Sequence, residues 1–87
     1  MVSKTTEIVN DMGFHMRPAN VFVTAMTKYA SDIYIIFNDN KINGKSIMNI
    51  MAACIKKGSK ITVECDGADE QAMLDEAVQI IDSGFGE

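Results

Sequence analysis

The sequence predicts an α+β two-layer, open-faced sandwich with the element order β-α-β-β-α-β-α. Strand-like and helix-like segments alternate along its 87 residues, and such a succession packs as helices against a sheet. Residues 38–41, Asn-Asp-Asn-Lys, form a turn between two short strand segments, and a hairpin makes neighbouring strands antiparallel. We therefore expect a four-stranded, largely antiparallel sheet with three helices on one face, in a single domain spanning residues 1–87.

The first half of the chain supplies the first helix and the hairpin. Residues 2–9 are rich in Val, Thr and Ile and predict a first strand. Pro18 marks a helix start because its φ is preset for a helix and the first turn does not need its N–H. The helix is expected to end near residues 28–30. Its apolar positions follow the spacing of one helix face: Phe22, Ala25, Met26 and Tyr29. Residues 33–37 and 41–43 are the hairpin strands.

The second half predicts a short helix, a strand and a final helix. Ser46 is a good N-cap for a helix from Ile47 to about Cys54. Residues 60–66 alternate between apolar and polar side chains, as a half-buried strand does. Asp69 is expected to cap the last helix, which ends before Gly84 and Gly86. The apolar stripe of this helix is Leu74, Ala77, Val78 and Ile81.

The short second helix has more apolar residues than one helix face can bury. We expect Ile50 and Cys54 to face the core. The remaining apolar side chains, Ile47, Met48 and Met51, are expected to be at least partly exposed. Adaptable methionines at a surface suit a protein that meets several partners.

Composition excludes several classes of protein. No apolar run approaches the ~20 residues that cross a bilayer, and the N-terminus lacks the apolar region of a signal peptide, so we expect a cytoplasmic protein without membrane insertion. The two cysteines and one histidine offer no zinc-binding spacing. We therefore expect no metal and no cofactor, with Cys54 and Cys65 reduced and buried as packing residues.

The net charge of −4 hides an asymmetry along the chain. Residues 1–63 carry eight basic and four acidic residues, whereas residues 64–87 carry eight acidic residues and no basic one. The basic part suits a phosphate or an acidic partner. A basic surface over the whole domain, which nucleic-acid binding would favour, is not indicated.

Residues 13–19, Gly-Phe-His-Met-Arg-Pro-Ala, contain the only histidine, arginine and proline of the chain. Histidine is a side chain that can take or give a proton near neutral pH, and the Arg17 guanidinium is shaped to bind phosphate. A helix start at Pro18 adds unpaired N–H groups and a positive dipole end. These features predict an anion site in which the imidazole is the nucleophile. A capping histidine without a role is the alternative, and it leaves the clustering unexplained.

Three blocks of the sequence resemble one family. Residues 13–19 are similar to the active-site signature of HPr, the histidine-containing phosphocarrier of the bacterial phosphoenolpyruvate:sugar phosphotransferase system. Residues 45–48, Lys-Ser-Ile-Met, resemble its regulatory-serine segment, and residues 66–70 resemble the turn before its last helix. Met16 stands where the family more often has Ala, and Asn49 stands where it often has Gly. Both lie on the surface that the resemblance implies for partner binding, so the departures affect which partners are preferred.

The resemblance implies a phosphocarrier, not an enzyme. His15, through its Nδ1 atom, would accept a phosphoryl group from enzyme I and pass it to sugar-specific enzyme IIA proteins. Arg17 and the helix end would stabilise the phosphate, and Pro18 would fix that helix end. The implied partner interface consists of Met16, Asn20, Ile47, Met48 and Met51. A carrier that docks on two partners in turn is expected to be a monomer.

Ser46 has two compatible interpretations. As an N-cap it stabilises a helix. In the Gram-positive branch of the HPr family this serine is phosphorylated by an HPr kinase/phosphorylase, and the product binds a catabolite-control transcription regulator. The resemblance therefore implies regulation at Ser46. Two alternative functions remain open at this stage: an HPr-like protein that acts only through Ser46 and protein contacts, and a generic α+β binding module.

Overall fold

A computed structural model of the chain describes residues 1–86, one residue fewer than the predicted domain 1–87. The predicted element order is confirmed. The elements are β1 (Val2–Glu7), α1 (Met16–Met26), β2 (Asp32–Phe37), β3 (Asn40–Asn43), α2 (Ile47–Ala52), β4 (Lys60–Asp66) and α3 (Glu70–Asp82), followed by a 3₁₀ turn (Gly84–Gly86).

The four strands form one antiparallel sheet in the order β1-β4-β2-β3. Strand β4 lies inside the sheet, with Val63 opposite Lys4 of β1 on one side and Ile35 of β2 on the other. The predicted turn between β2 and β3 is present, and Asn38 and Asp39 have φ values of 50° and 65°. Asn and Asp tolerate this left-handed conformation better than most residues, so the local sequence fixes the hairpin.

The apolar faces of α1, α2 and α3 meet one face of the sheet and form a single core. The stripe predicted for α3 is buried in full. Strand β4 alternates between buried and more exposed side chains, and its buried members are Ile61, Val63 and Cys65. Burial raises the pKa of the Cys65 thiol to about 11. Cys65 is therefore a protonated packing residue at neutral pH, as predicted.

The prediction that Cys54 is buried is wrong. Helix α2 ends at Ala52, two residues earlier than expected, and Cys54 adopts a left-handed conformation with φ of 54°. This backbone reversal takes Cys54 off the buried helix face and leaves it exposed. Ile55 packs into the core in its place and is only 2% exposed.

The expected boundaries of the first strand and first helix also need correction. Strand β1 ends at Glu7 rather than near residue 9. Helix α1 begins at Met16, two residues before Pro18, and ends at Met26. Pro18 is compatible with this start because the third residue of a helix, like the first, has an N–H without a partner in the helix.

Asp69 is the N-cap residue of α3, as predicted, but its carboxylate makes no capping hydrogen bond to that helix. The carboxylate instead accepts hydrogen bonds from the backbone N–H groups of Ala30 and Ser31, both at 2.9 Å, and from the Ser31 hydroxyl. In return, the Asp69 N–H donates to Ser31 Oγ at 3.1 Å. These bonds tie the start of α3 to the segment between α1 and β2. The Ser31 hydroxyl and the Ala30 N–H lower the pKa of Asp69 from 3.8 to about 2.

We expect Asp69→Asn to remove part of the acid sensitivity of folding. Because the pKa of Asp69 is lowered on folding, the ionised carboxylate contributes stability above about pH 4, and this contribution disappears as the pH falls through about 2. Urea unfolding midpoints measured from pH 7 to pH 2 should therefore fall less steeply below pH 4 in the variant than in the wild type. Asp75→Asn, on the exposed face of α3, is the control. Equal pH dependence in both variants would contradict the assignment.

Candidate functional site

His15 is the N-cap of α1. Its backbone is extended, with φ of −83° and ψ of −172°, and its carbonyl accepts the first helical hydrogen bond from the Ala19 N–H at 3.0 Å. The imidazole does not cap the helix through its own ring, and the residue is partly exposed. The structure therefore places a partly exposed histidine at the positive end of a helix dipole.

Pro18 is the third residue of α1 and is buried. The first four N–H groups of an α-helix, counted from the N-cap, have no partner within the helix, and proline at the third helical position removes one of them. Met16 and Arg17 each supply one of the other N–H groups, directly beside His15. Arg17 is exposed in the same turn, so the guanidinium, the two N–H groups and the imidazole all belong to one helix end. This arrangement suits an anion with several oxygen atoms.

The loop before His15 is fixed against the segment that follows α2. Gly13 has a φ of +64°, and a Cβ at this position would lie only 2.5 Å from the Ile55 carbonyl oxygen. The next residue, Phe14, donates its N–H to that same carbonyl at 2.9 Å. From the other side, Asn10 Nδ2 donates to the Gly13 carbonyl at 2.7 Å. The loop can approach the segment this closely because residue 13 has no side chain.

We expect Gly13→Ala to destabilise the fold and disturb the site. The added methyl group meets the Ile55 carbonyl, and alanine disfavours the positive φ, for a combined cost of about 2–3 kcal/mol in the free energy of unfolding. Gly58→Ala is the matched control, because Gly58 also has a positive φ, +87°, but nothing lies within 4 Å of its Cβ position. Urea denaturation of both variants separates backbone strain from the close contact. Equal losses would show that the contact with Ile55 does not matter.

Beneath the loop, Phe14 is 3% exposed and lies between two other aromatic rings. The Phe22 ring from α1 is edge-on at 5.5 Å between centroids, and the Phe85 ring from the C-terminal turn is tilted at 4.7 Å. The sequence prediction missed the contributions of Asn10, Phe14 and Phe85. The one available signal is an aromatic residue between Gly84 and Gly86, to which the prediction assigns no role.

Ser46 is the N-cap of α2, as predicted, and its Oγ accepts a hydrogen bond from the Asn49 N–H at 3.2 Å. The residue is partly exposed. Helices α1 and α2 contact each other, so the two predicted sites belong to neighbouring helices.

The residues predicted to form the partner interface differ in exposure. Met16 and Met48 are strongly exposed, at 66% and 82%, and Asn20 is exposed on α1. Ile47 and Met51 are partly buried and pack against the core. Ile50 is fully buried, so the division predicted for α2 is confirmed except at Cys54.

Within residues 1–86, no group of three or more His, Cys, Asp or Glu side chains is arranged to hold a metal ion. None of the helices described in this part of the chain has the length and apolar character needed to span a bilayer.

The fold and the site together define a small α+β protein whose single histidine is partly exposed at the start of a helix. The family model for the PTS HPr component phosphorylation site matches residues 2–83. The chain therefore belongs to the HPr family of phosphocarrier proteins, and the resemblance noted in the sequence is confirmed.

Individual relatives agree with this family. The phosphocarrier protein HPr of Neisseria meningitidis serogroup A is 37% identical over 87 residues, covering 100% of this chain and 98% of the relative. The HPr of Mycoplasma capricolum is 43% identical over 81 residues, covering 92% and 86%. A crystal structure of HPr from Thermoanaerobacter tengcongensis superimposes with a TM-score of 0.96 at 38% identity, covering 100% of this chain and 98% of that one.

Proposed function

We propose that this chain accepts a phosphoryl group on His15 from phosphorylated enzyme I and passes it to sugar-specific enzyme IIA proteins during phosphoenolpyruvate-dependent sugar uptake. The observation that carries the proposal is the position of His15 as the partly exposed N-cap of α1, with Arg17 in the first turn. The protein acts as a carrier with a phosphohistidine intermediate and is itself regenerated by its partners.

In the accepting step, the unprotonated ring nitrogen of His15 attacks the phosphorus of the phosphohistidine on enzyme I. By family resemblance this nitrogen is Nδ1. A new N–P bond forms as the N–P bond to the donor imidazole breaks. The proton on the other His15 nitrogen leaves, and the donor ring gains one, so both imidazoles end neutral. The second step repeats this exchange with a histidine of the IIA protein.

The chain contributes positioning and charge to both steps. The N–H groups of Met16 and Arg17 and the Arg17 guanidinium stabilise the oxygen atoms of the phosphoryl group. They act through hydrogen bonds and charge and form no covalent bond to the phosphoryl group, so the group stays transferable. Such electrostatic stabilisation accounts for most of the protein's part in phosphoryl transfer.

The experiment that tests this function is labelling with phosphoenolpyruvate and enzyme I. Purified protein incubated with both should acquire one acid-labile phosphate per chain and lose it when an enzyme IIA protein is added. A chain that remains unlabelled under these conditions would contradict the proposed transfer.

We propose that the protein works in the cytoplasm as a monomer without a cofactor. It docks on protein partners and not on nucleic acid. The exposed Met16, Asn20 and Met48 side chains support a docking face on the neighbouring helices α1 and α2. Ile47 and Met51 form its partly buried side.

Ser46 supports a second, regulatory function. Its hydroxyl is partly exposed at the start of α2, where a phosphate is tolerated by the helix but adds about two negative charges beside the docking face. We propose phosphorylation there by an HPr kinase/phosphorylase, followed by binding of the catabolite-control transcription regulator. An HPr-like protein acting only through Ser46 is the alternative. The presence of His15 and Arg17 at the helix start favours the carrier.

Incubation with ATP and an HPr kinase/phosphorylase is expected to produce one acid-stable phosphate, located at Ser46 by peptide mass spectrometry. Ser46→Ala should remove it, whereas Ser59→Ala should leave it unchanged. Loss of the cap should also cost Ser46→Ala about 1 kcal/mol in the free energy of unfolding, so labelling is compared well below the melting temperature. Phosphate on another residue, or none on the wild type, would contradict the proposal.

A further inference from the structure

The C-terminal turn reverses the chain directly after α3. Gly84, Phe85 and Gly86 have φ values of 70°, 59° and 79°, so three consecutive residues are left-handed. This conformation costs glycine little, but it is unfavourable for phenylalanine. A non-glycine residue held in such a conformation needs support from its surroundings. At Phe85 that support is burial, because its side chain is only 6% exposed.

The reversed turn places the Phe85 ring against the residue before His15. The Phe85 and Phe14 rings are 4.7 Å apart between centroids and inclined at 52°. On its other side, Phe14 contacts Phe22 of α1. Phe14 is therefore held between the helix that His15 caps and the C-terminal turn. The backbone on either side is fixed as well, by the hydrogen bond from Phe14 to Ile55 and by the one from Ala19 to His15.

From this arrangement we infer that Phe85 is a positioning residue for phosphoryl transfer, acting on His15 through Phe14. The inference rests on the proposed function. It assigns to the C-terminal turn the task of holding the imidazole in the orientation that attack requires. Phe14 is directly joined to His15, so a shift of the Phe14 backbone, once its ring loses the contact with Phe85, displaces the His15 Cα from which the imidazole projects. Displacements of about 1 Å at a reacting group can lower a rate by about 100-fold.

The test replaces Phe85 with side chains of decreasing size: Phe85→Leu, Phe85→Val and Phe85→Ala. With this protein as the substrate of enzyme I, we expect kcat to fall in that order, reaching about tenfold for alanine, while KM changes less than twofold. The leucine variant should recover most of the rate because it still packs against Phe14. The NMR resonances of the His15 imidazole, the only one in the chain, should shift in the same order.

Met73→Ala is the matched control. Met73 is as fully buried as any core residue, but it lies near the start of α3, about 15–20 Å along the helix from the C-terminal turn. The Met73→Ala variant should have a lower unfolding midpoint but unchanged kcat and imidazole resonances. These are measured under conditions in which Met73→Ala and Phe85→Ala are both folded. If alanine at residue 85 prevents folding, the leucine-to-valine step provides the comparison.

Two results would overturn the inference. In the first, the three Phe85 variants all keep the kcat and the imidazole resonances of the wild type. In the second, Met73→Ala shows the same losses as Phe85→Ala. The first shows that the turn does not position His15, and the second shows a general effect of core packing. The imidazole resonances are read without any partner protein. If the wild type itself accepts no phosphate, the carrier function fails, while the resonances still report whether Phe85 orients His15.

Discussion

The His15→Ala variant is expected to lose all acid-labile labelling by phosphoenolpyruvate and enzyme I. His15 is the only histidine of the chain, so no second imidazole is present to accept the phosphoryl group. The fold should persist, because the ring is partly exposed and does not cap α1. Labelling with radioactive phosphoenolpyruvate, compared with circular dichroism of the same sample, separates loss of the acceptor from loss of structure.

Ser46→Ala is the control for this measurement, since it changes the other proposed phosphorylation site but leaves the acceptor imidazole in place. It should take up acid-labile phosphate to the wild-type level. Acid-labile phosphate on a folded His15→Ala variant would show that another group accepts the phosphoryl group, and the proposed carrier mechanism would then have to be abandoned.

The parts of the fold that the sequence predicted correctly depend on interactions between neighbouring residues. The hairpin follows from Asn38 and Asp39, which tolerate left-handed backbone. The cap of α2 follows from Ser46 and an N–H three residues later. Strand β4 shows its alternation within seven residues. Each of these signals lies within a short window of the chain, so it does not require knowledge of the tertiary structure.

The incorrect or missing predictions concern contacts between distant segments. Asp69 has the residue type of a helix cap, but hydrogen bonds to Ala30 and Ser31, some 38 residues earlier, take its carboxylate away from α3. Cys54 follows the helical apolar pattern, but α2 ends two residues before Cys54, and the Cys54 side chain is exposed. No local pattern encodes the packing of Phe85 on Phe14 across the whole chain.

The candidate site likewise contains one part that neighbouring residues encode and another part that depends on distant segments. His15, Arg17 and Pro18 are almost consecutive, so their common helix end was apparent from the sequence, although the helix itself starts two residues earlier than Pro18 suggested. The support beneath them comes from residue 55 and from the C-terminal turn. These supporting residues carry no chemical signature of their own. The residues proposed to react could therefore be picked out from the sequence, whereas the residues that support them could not.

The second large effect is expected at Arg17. Arg17→Lys keeps the positive charge but replaces a planar, five-donor guanidinium with a single ammonium, which cannot bind two phosphate oxygens at once. We expect phosphoryl transfer to slow by about tenfold, equivalent to about 1.4 kcal/mol in the activation free energy. Arg17 is exposed, so the unfolding midpoint should remain close to that of the wild type. Rapid-quench measurement of transfer from phosphorylated enzyme I gives the rate.

Arg17→Gln extends this comparison by removing the charge while keeping a hydrogen-bonding side chain of moderate length. If charge and geometry both matter, the rates should decrease from arginine to lysine to glutamine, with the glutamine variant about 100-fold slower. A lysine variant at the wild-type rate would show that charge alone is sufficient. A glutamine variant at the wild-type rate would remove Arg17 from the mechanism. The N–H groups of Met16 and residue 17 would then be the chain's remaining stabilisers of the phosphoryl oxygens, since both belong to the backbone and are unchanged by either substitution.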